Sequence, residues 1–358
     1  MKSRLRTVSR LVVMVIHAPF LLLFILSCTA FYFNPNEAPV MGVLGLLFPL
    51  FLGIHLVFTG FWLYRGKKFG ILSTLLILVA WPHFSSGLQF GNSQETDATL
   101  SVMTYNLRMW YPHNQESREQ MKDDVFGILE EHQPDLLFVQ EHKIEGEYAE
   151  LPFAYRAVHP MYDSRRNGLG IYSRQPIINS GFIEYSESRN GYTGFAWADV
   201  EIDGKVLRLI TVHLVNTALI PESYQTLGGE GSELTQEQLE SESADIYNRL
   251  ASAYQVRATQ VKELSSFVAD SPYPIILCGD FNDTHTSYVY KQMTENLKDA
   301  FVLKGKGFGD TFNRMNAVPL RIDYILVSPE LNCHSFQVID VPYSDHKPVT
   351  ASFTLPSS

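Results

Sequence analysis

The front of the chain limits its fold most. From Leu11 to Phe33, 23 residues pass without an Asp, Glu, Lys or Arg, and from Val40 to Tyr64 another 25 do the same. A helix that is apolar all round must be surrounded, by a large core or by lipid. Runs near 20 residues match the hydrocarbon thickness of a bilayer, and only internally bonded backbone tolerates that medium. A third run, from Phe69 to about Phe90, is weaker and is interrupted by Pro82 and His83. The reading is an anchor over 1–92 with three transmembrane helices at about 11–33, 40–64 and 69–90. Its rival has two spans, with the third run lying on the surface. A lipoprotein-type signal ending near Ser27-Cys28 is disfavoured, because the apolar run continues through Phe33.

Charge separates the anchor from the rest. Seven of the 28 basic residues and one of the 38 acidic residues lie before residue 95, a balance of +6; the remainder carries 21 and 37, or −16. Arg4, Arg6 and Arg10 precede the first run, and Arg65, Lys67 and Lys68 join the second to the third. The excess of basic residues at these points puts the N-terminus in the cytoplasm. Three crossings then leave the remainder outside. A −16 domain lacks the broad basic footprint of a duplex-binding protein, although a local basic groove remains open, with Arg165, Arg166 and Arg174 as candidates. Three cysteines, Cys28, Cys278 and Cys333, are too few for a disulfide framework and read as buried or idle thiols. His17 and His55, inside the apolar runs, read as neutral imidazoles bonded to a neighbouring helix, with a proton relay as the functional alternative.

Residues 93–99 form a short polar linker, and a single domain is expected over 100–358. Several apolar, strand-like runs there end on a polar residue. Leu100–Tyr105 leads to Asn106, Asp135–Gln140 to Glu141, Val206–Val212 to His213, and Ile275–Cys278 to Gly279, Asp280 and Asn282. Ser117–His132 has helical spacing, and Leu234–Val268 reads as a long helix broken near Ser252. Between them, Thr217–Ser232 is irregular and glycine-rich, the pattern of a flexible flap. Leu320–Val327 reads as a strand carrying Asp323 in its interior, where a charge is costly unless paired. Asp345 and His346 precede the last strand. Each residue taken singly has a plain structural explanation: a turn former, a solvated acid or a core histidine.

Taken together, the stretches TYN (104–106), QE (140–141), TVHL (211–214), GDFN (279–282), RIDYIL (321–326) and SDH (344–346) resemble the endonuclease/exonuclease/phosphatase superfamily, in that family's order. The resemblance covers roughly 100–355. It implies an α/β fold, a four-layer α/β/β/α sandwich of two mixed sheets with Mg²⁺ or Mn²⁺ at one rim. It also implies roles. Glu141 binds the metal with Asn106 and Asp345 nearby. Asp280 and Asn282 position water and phosphate, His213 contacts phosphoryl oxygens, and Asp323 orients His346 as acid or base. The chemistry is consistent with this, since phosphoester hydrolysis needs charge neutralisation, an activated water and hydrogen-bond donors. The expected activity is hydrolysis of a phosphodiester or phosphomonoester in nucleic acid, a phospholipid headgroup or a small molecule, by a bilayer-anchored enzyme of unknown oligomeric state. The alternative is an inactive binding or scaffold protein that keeps the fold.

Overall fold

The computed structural model describes residues 2–66, 68–91, 98–112, 117–146, 148–161, 167–187, 193–217, 236–313 and 319–355. The expected flap, most of the linker, and Arg165 and Arg166 lie outside these residues. The chain divides into two compact units, one of Met1–Ser85, Ala218–Gln255 and Thr286–Lys291, the other of Ser86–Thr217, Val256–His285 and Gln292–Ser358.

In the first unit, α1 (Lys2–Thr29) is followed by a 3₁₀ turn at Ala30–Tyr32. The stretch Arg10–Tyr32 is the one helix among the described residues long and apolar enough to cross a membrane by itself. The other two runs do not form single straight spans. The second is α2 (Pro39–Leu46) and α3 (Phe48–Tyr64), bent by 59°, and the third is α4 (Lys68–Val79) and α5 (Trp81–Gly87), bent by 54°. Pro49 sits in the first turn of α3 and Pro82 in that of α5. Proline has no N–H to donate and its ring crowds the preceding turn, so each helix restarts there. Three transmembrane helices are thus corrected to one clear candidate and two broken pairs.

His17 and His55 are buried and bonded to each other, Nε2 to Nδ1 at 3.3 Å. The Trp62 indole donates to His17 Nδ1, and His55 Nε2 lies 3.1 Å from the Ser73 carbonyl. One set of neutral tautomers satisfies the whole series. The long helix α7 (Gln236–Ala269) runs without the expected break. In this unit its Ile246, Leu250 and Tyr254 pack with Val43 and Leu46, and Gly42 leaves no room for a Cβ beside the Tyr254 ring.

The second unit holds two six-stranded sheets. Its strands are β2 (Leu100–Asn106), β3 (Leu136–Lys143), β4 (Tyr155–Met161), β5 (Asn167–Ser173), β6 (Ile177–Glu184), β7 (Gly194–Ile202), β8 (Lys205–His213), β9 (Ile275–Asp280), β10 (Lys298–Asp299), β12 (Asp323–Val327), β13 (Asn332–Val338) and β14 (Val349–Thr354). A two-residue strand β1 (Gln89–Phe90) pairs separately with β11 (Lys306–Gly307). The first sheet runs β13-β14-β2-β3-β5-β4 and the second β10-β12-β9-β8-β7-β6. Each contains one parallel pair, β2 with β3 and β8 with β9, so both sheets are mixed.

The facing sides of the sheets share one core. Val102, Phe138 and Ile171 from the first meet Leu209, Cys278 and Ile325 from the second, all nearly inaccessible to water. Strand β2 is apolar on its other face too. There Met103 and Tyr105 pack with Met121, Val125 and Leu129 of α6 (Arg118–His132), which Ser117 caps through its hydroxyl. The C-terminal half of α7 covers the second sheet, with Phe267 against Phe195 and Trp197. The result is helix, sheet, sheet, helix. All three cysteines are free and buried. Asp323 opens β12 rather than sitting inside a strand that begins at Leu320, because Leu320 pairs elsewhere: its carbonyl accepts from the Thr311 and Phe312 N–H groups.

Candidate active site

The site grows from strand register. In the second sheet His213 is paired with Asp280, and Asp280 in turn with Asp323, so three polar residues lie side by side across β8, β9 and β12. In the first sheet Asn106 is paired with Gln140 at the end of the parallel pair β2 and β3. The pairing of β3 with β5 slips between Val139 and His142, and Glu141 within this bulge has φ +48°. A bulge re-aims a side chain, here that of Glu141.

Contacts then join the sheets. Asn106 Nδ2 donates to Asp280 Oδ2 at 3.0 Å. His213 Nε2 stands 3.6 Å from both Glu141 Oε1 and Asp280 Oδ2. His346 Nδ1 lies 3.0 and 3.2 Å from the two Asp323 oxygens, and its Nε2 is 3.6 Å from Asp280 Oδ2. Thus Asn106, Glu141, His213, Asp280, Asp323 and His346 meet at one rim. Asp345 joins through Arg108, whose Nε is 3.3 Å from its carboxylate. Asn282 sits on the adjoining turn. Its backbone N–H bonds Asp280 Oδ1 at 2.8 Å and its side-chain nitrogen donates to Leu214 O at 3.0 Å, so it shapes the turn that presents Asp280.

Backbone strain concentrates here. Among the described residues seven non-glycine residues have positive φ, and five of them are Arg108, Met109, Trp110, Glu141 and Asn282. Such conformations cost free energy and persist where surrounding structure enforces them. Gly279, with φ +142°, is required: a Cβ there would lie 2.1 Å from Val212 O.

Electrostatics follow from burial and charge. Burial raises the pKa of Asp280, Asp323 adds to the rise, and His346 and His213 oppose it. For His346 burial acts downward, but the carboxylates of Asp323 and Asp280 outweigh it and the imidazole is raised. A carboxylate facing one ring nitrogen fixes the proton there and favours the cation.

Sequence reasoning missed three residues. Arg108 ties Asn106 to Asp345, its backbone N–H bonding Asn106 Oδ1 at 2.9 Å. The Thr311 hydroxyl accepts from the Ile322 and Asp323 N–H groups, and the Phe312 ring meets His346 edge-on at 5.2 Å. Arg108 stood beside a quoted motif, and Thr311 and Phe312 end the glycine-rich stretch GKGFGDTF (305–312), which as sequence reads only as loop.

Donor chemistry decides whether a metal fits. Asp280, Asp323 and His346 each offer a buried ligand atom within 4.8 Å of the others, and His346 Nδ1 is already bonded to the Asp323 carboxylate. Glu141 is only partly buried. Its carboxylate, with the Asn106 and Asp345 oxygens, is a hard-oxygen set of the kind Mg²⁺ or Mn²⁺ takes. By donor type these residues suit such an ion.

Comparison with known proteins bears on the family and the fold. The sequence profile described as Endonuclease/Exonuclease/phosphatase family matches residues 103–346. A second profile, of a domain of unknown function, matches residues 9–87. No curated protein matches the chain. Among solved structures, the human Nocturnin catalytic domain aligns with TM-score 0.52 at 18% identity, over 74% of this chain and 97% of that one. A humanized D. rerio TDP2 aligns with TM-score 0.52 at 18% identity, over 71% and 98%. An endonuclease/exonuclease/phosphatase from Bacteroides vulgatus aligns with TM-score 0.50 at 19% identity, over 72% and 98%. At these identities the likeness is one of fold, whereas the profile spans more than half of the sequence. The chain therefore belongs to the endonuclease/exonuclease/phosphatase family.

Proposed function

We propose that this protein is a divalent-metal-dependent phosphoesterase held at a membrane by its N-terminal helix. The observation that carries the reading is the meeting at one rim of His213, Asp280 and the His346–Asp323 pair with Asn106 and Glu141. Glu141, with Asn106 and Asp345, would hold Mg²⁺ or Mn²⁺, which when bound neutralises phosphoryl oxygens and makes water more acidic. The remaining chemistry belongs to the chain. Asp280 orients the attacking water, and its raised pKa suits it to accept a proton near neutral pH. The cationic His346, oriented by Asp323 through Nδ1, presents Nε2–H to a phosphoryl or leaving-group oxygen, and His213 supports the same charge. Asn282 and Gly279 hold the turn that aims Asp280.

The anchor reading rests on the length and apolarity of Arg10–Tyr32 and on the basic residues before it. Either one crossing or three would place the catalytic unit outside the cytoplasm, because both are odd numbers. The −16 balance of the chain from residue 95 onward favours compact phosphoesters and headgroups over long duplex nucleic acid. The test is a substrate panel on the full-length chain in nanodiscs: bis-p-nitrophenyl phosphate, p-nitrophenyl phosphate, sphingomyelin, inositol phosphates and plasmid DNA, each with Mg²⁺ and with EDTA. Hydrolysis of at least one, lost on chelation and restored by Mg²⁺ or Mn²⁺, is expected. Turnover that survives EDTA refutes the metal reading, and no turnover on any member favours the inactive scaffold.

A further inference from the structure

The catalytic unit carries seven large apolar side chains that are exposed among its described residues, and four of them lie on two short segments. Phe90 is 83% exposed, Phe308 56%, Leu303 42% and Val302 37%. The pairing of β1 with β11 sets Phe90 directly opposite Lys306, and Gly91 N bonds Gly305 O just beyond. Val302 and Leu303 lie on α8 (Ala300–Lys304), which leads into β11. Phe308 stands between Gly307 and Gly309, with φ +71° and +61°, which turn the chain sharply on either side of it. Residues 300–309 include Lys304 and Lys306 and no acid, within a region of the chain whose balance is −16.

We propose that this ribbon is a membrane-docking surface, with Phe90, Val302, Leu303 and Phe308 entering the headgroup boundary of an anionic bilayer and Lys304 and Lys306 meeting its phosphates. The proposal rests on the reading that the N-terminal helix is embedded in lipid. Three observations select a bilayer as the occupant. Phe90 follows the last apolar helix, which ends at Gly87, by three residues. Aromatic and aliphatic tips flanked by lysines match the apolar-inside, cationic-rim pattern of interfacial segments. Anionic leaflets attract basic segments within a Debye length, and this is a locally basic stretch of an acidic unit. Residues 308–312 run from the ribbon to Phe312, whose ring packs on His346, so docking here holds the catalytic rim close to lipid phosphates.

The test uses the full-length chain, one copy per nanodisc, carrying an environment-sensitive fluorophore on Phe308→Cys, on Val15→Cys or on Glu201→Cys. The three native thiols are buried, so labelling is selective. With phosphatidylglycerol present, shallow doxyl lipid should quench the label at 308 at least twofold more than that at 201. The double change Lys304→Glu and Lys306→Glu should reduce that quenching. Quenching at 15 without quenching at 308 overturns the docking surface while the anchor stands. Loss of quenching at both sites overturns the anchor as well. A blue-shifted but unquenched label at 308 means that protein covers the ribbon, and it too overturns the proposal.

Discussion

Two buried histidines in the same unit are driven in opposite directions. His142 is fully buried beneath the first sheet, where its Nδ1 accepts from the Trp110 indole at 3.3 Å. Its Nε2 faces the Tyr172 hydroxyl at 2.7 Å, and that hydroxyl donates to the Ala149 carbonyl at 2.9 Å. This arrangement satisfies one neutral tautomer and leaves no acceptor for a second proton, since the indole can only donate. Burial, with Arg156 adding and the Ala149 carbonyl opposing, lowers His142 to about 4. His346 is also buried, but carboxylates face it and its pKa rises. Burial alone does not determine a histidine's charge; the sign of its partners does. A closed set of neutral partners reads as architecture, and a set of like carboxylates around one imidazole reads as chemistry.

The largest expected effect tests the rim side of this contrast. Asp280→Asn and His346→Ala should each lower turnover by about 10³-fold or more while circular dichroism and Tm stay near wild type. Asp323→Asn should cost about 10²-fold. It should also shift the pH–rate profile to lower pH, because losing the carboxylate removes what raises His346, and the proton-bearing form then persists only in more acid solution. An unshifted profile breaks the assigned pairing.

The other side of the contrast concerns stability. The folded pKa of His142 lies below its ordinary value of 6.5, so the unfolded chain binds the proton first. Its contribution is therefore full above pH 6.5, falls by up to about 1.4 kcal/mol per pH unit as pH drops toward 4, and declines no further below that. Denaturant titrations of His142→Gln should show a flatter pH dependence in that window, and an unchanged slope contradicts the account. The smallest effect belongs to Trp110→Phe. Removing one hydrogen bond and part of a fully buried ring should cost about 2 kcal/mol and leave kcat unchanged. A large loss of turnover would mean that the two histidine regions are not separable.

Much of this was legible in the sequence because buried strands are runs of apolar residues and the site sits where those runs stop. Asn106, Glu141, His213 and Asp280 each follow such a run, and each lands at the rim. Asp323 was recognised by the cost of a buried charge, although its place within the strand was not, because the pairing of Thr311 and Phe312 with Leu320 has no periodic signature. Arg108 was not legible: its three successive left-handed residues arise from tertiary contacts, and Arg, Met and Trp give no hint of φ > 0. The count of three straight spans failed for a related reason. Composition measures apolarity over a window, whereas Pro49 and Pro82 interrupt the hydrogen-bond ladder at single residues.

The most direct measurement is steady-state hydrolysis of bis-p-nitrophenyl phosphate by full-length wild type and Asp280→Asn at matched Tm, with Mg²⁺ and then with EDTA. The account predicts turnover that requires both the ion and the carboxylate. Equal rates from the folded Asp280→Asn protein would contradict it.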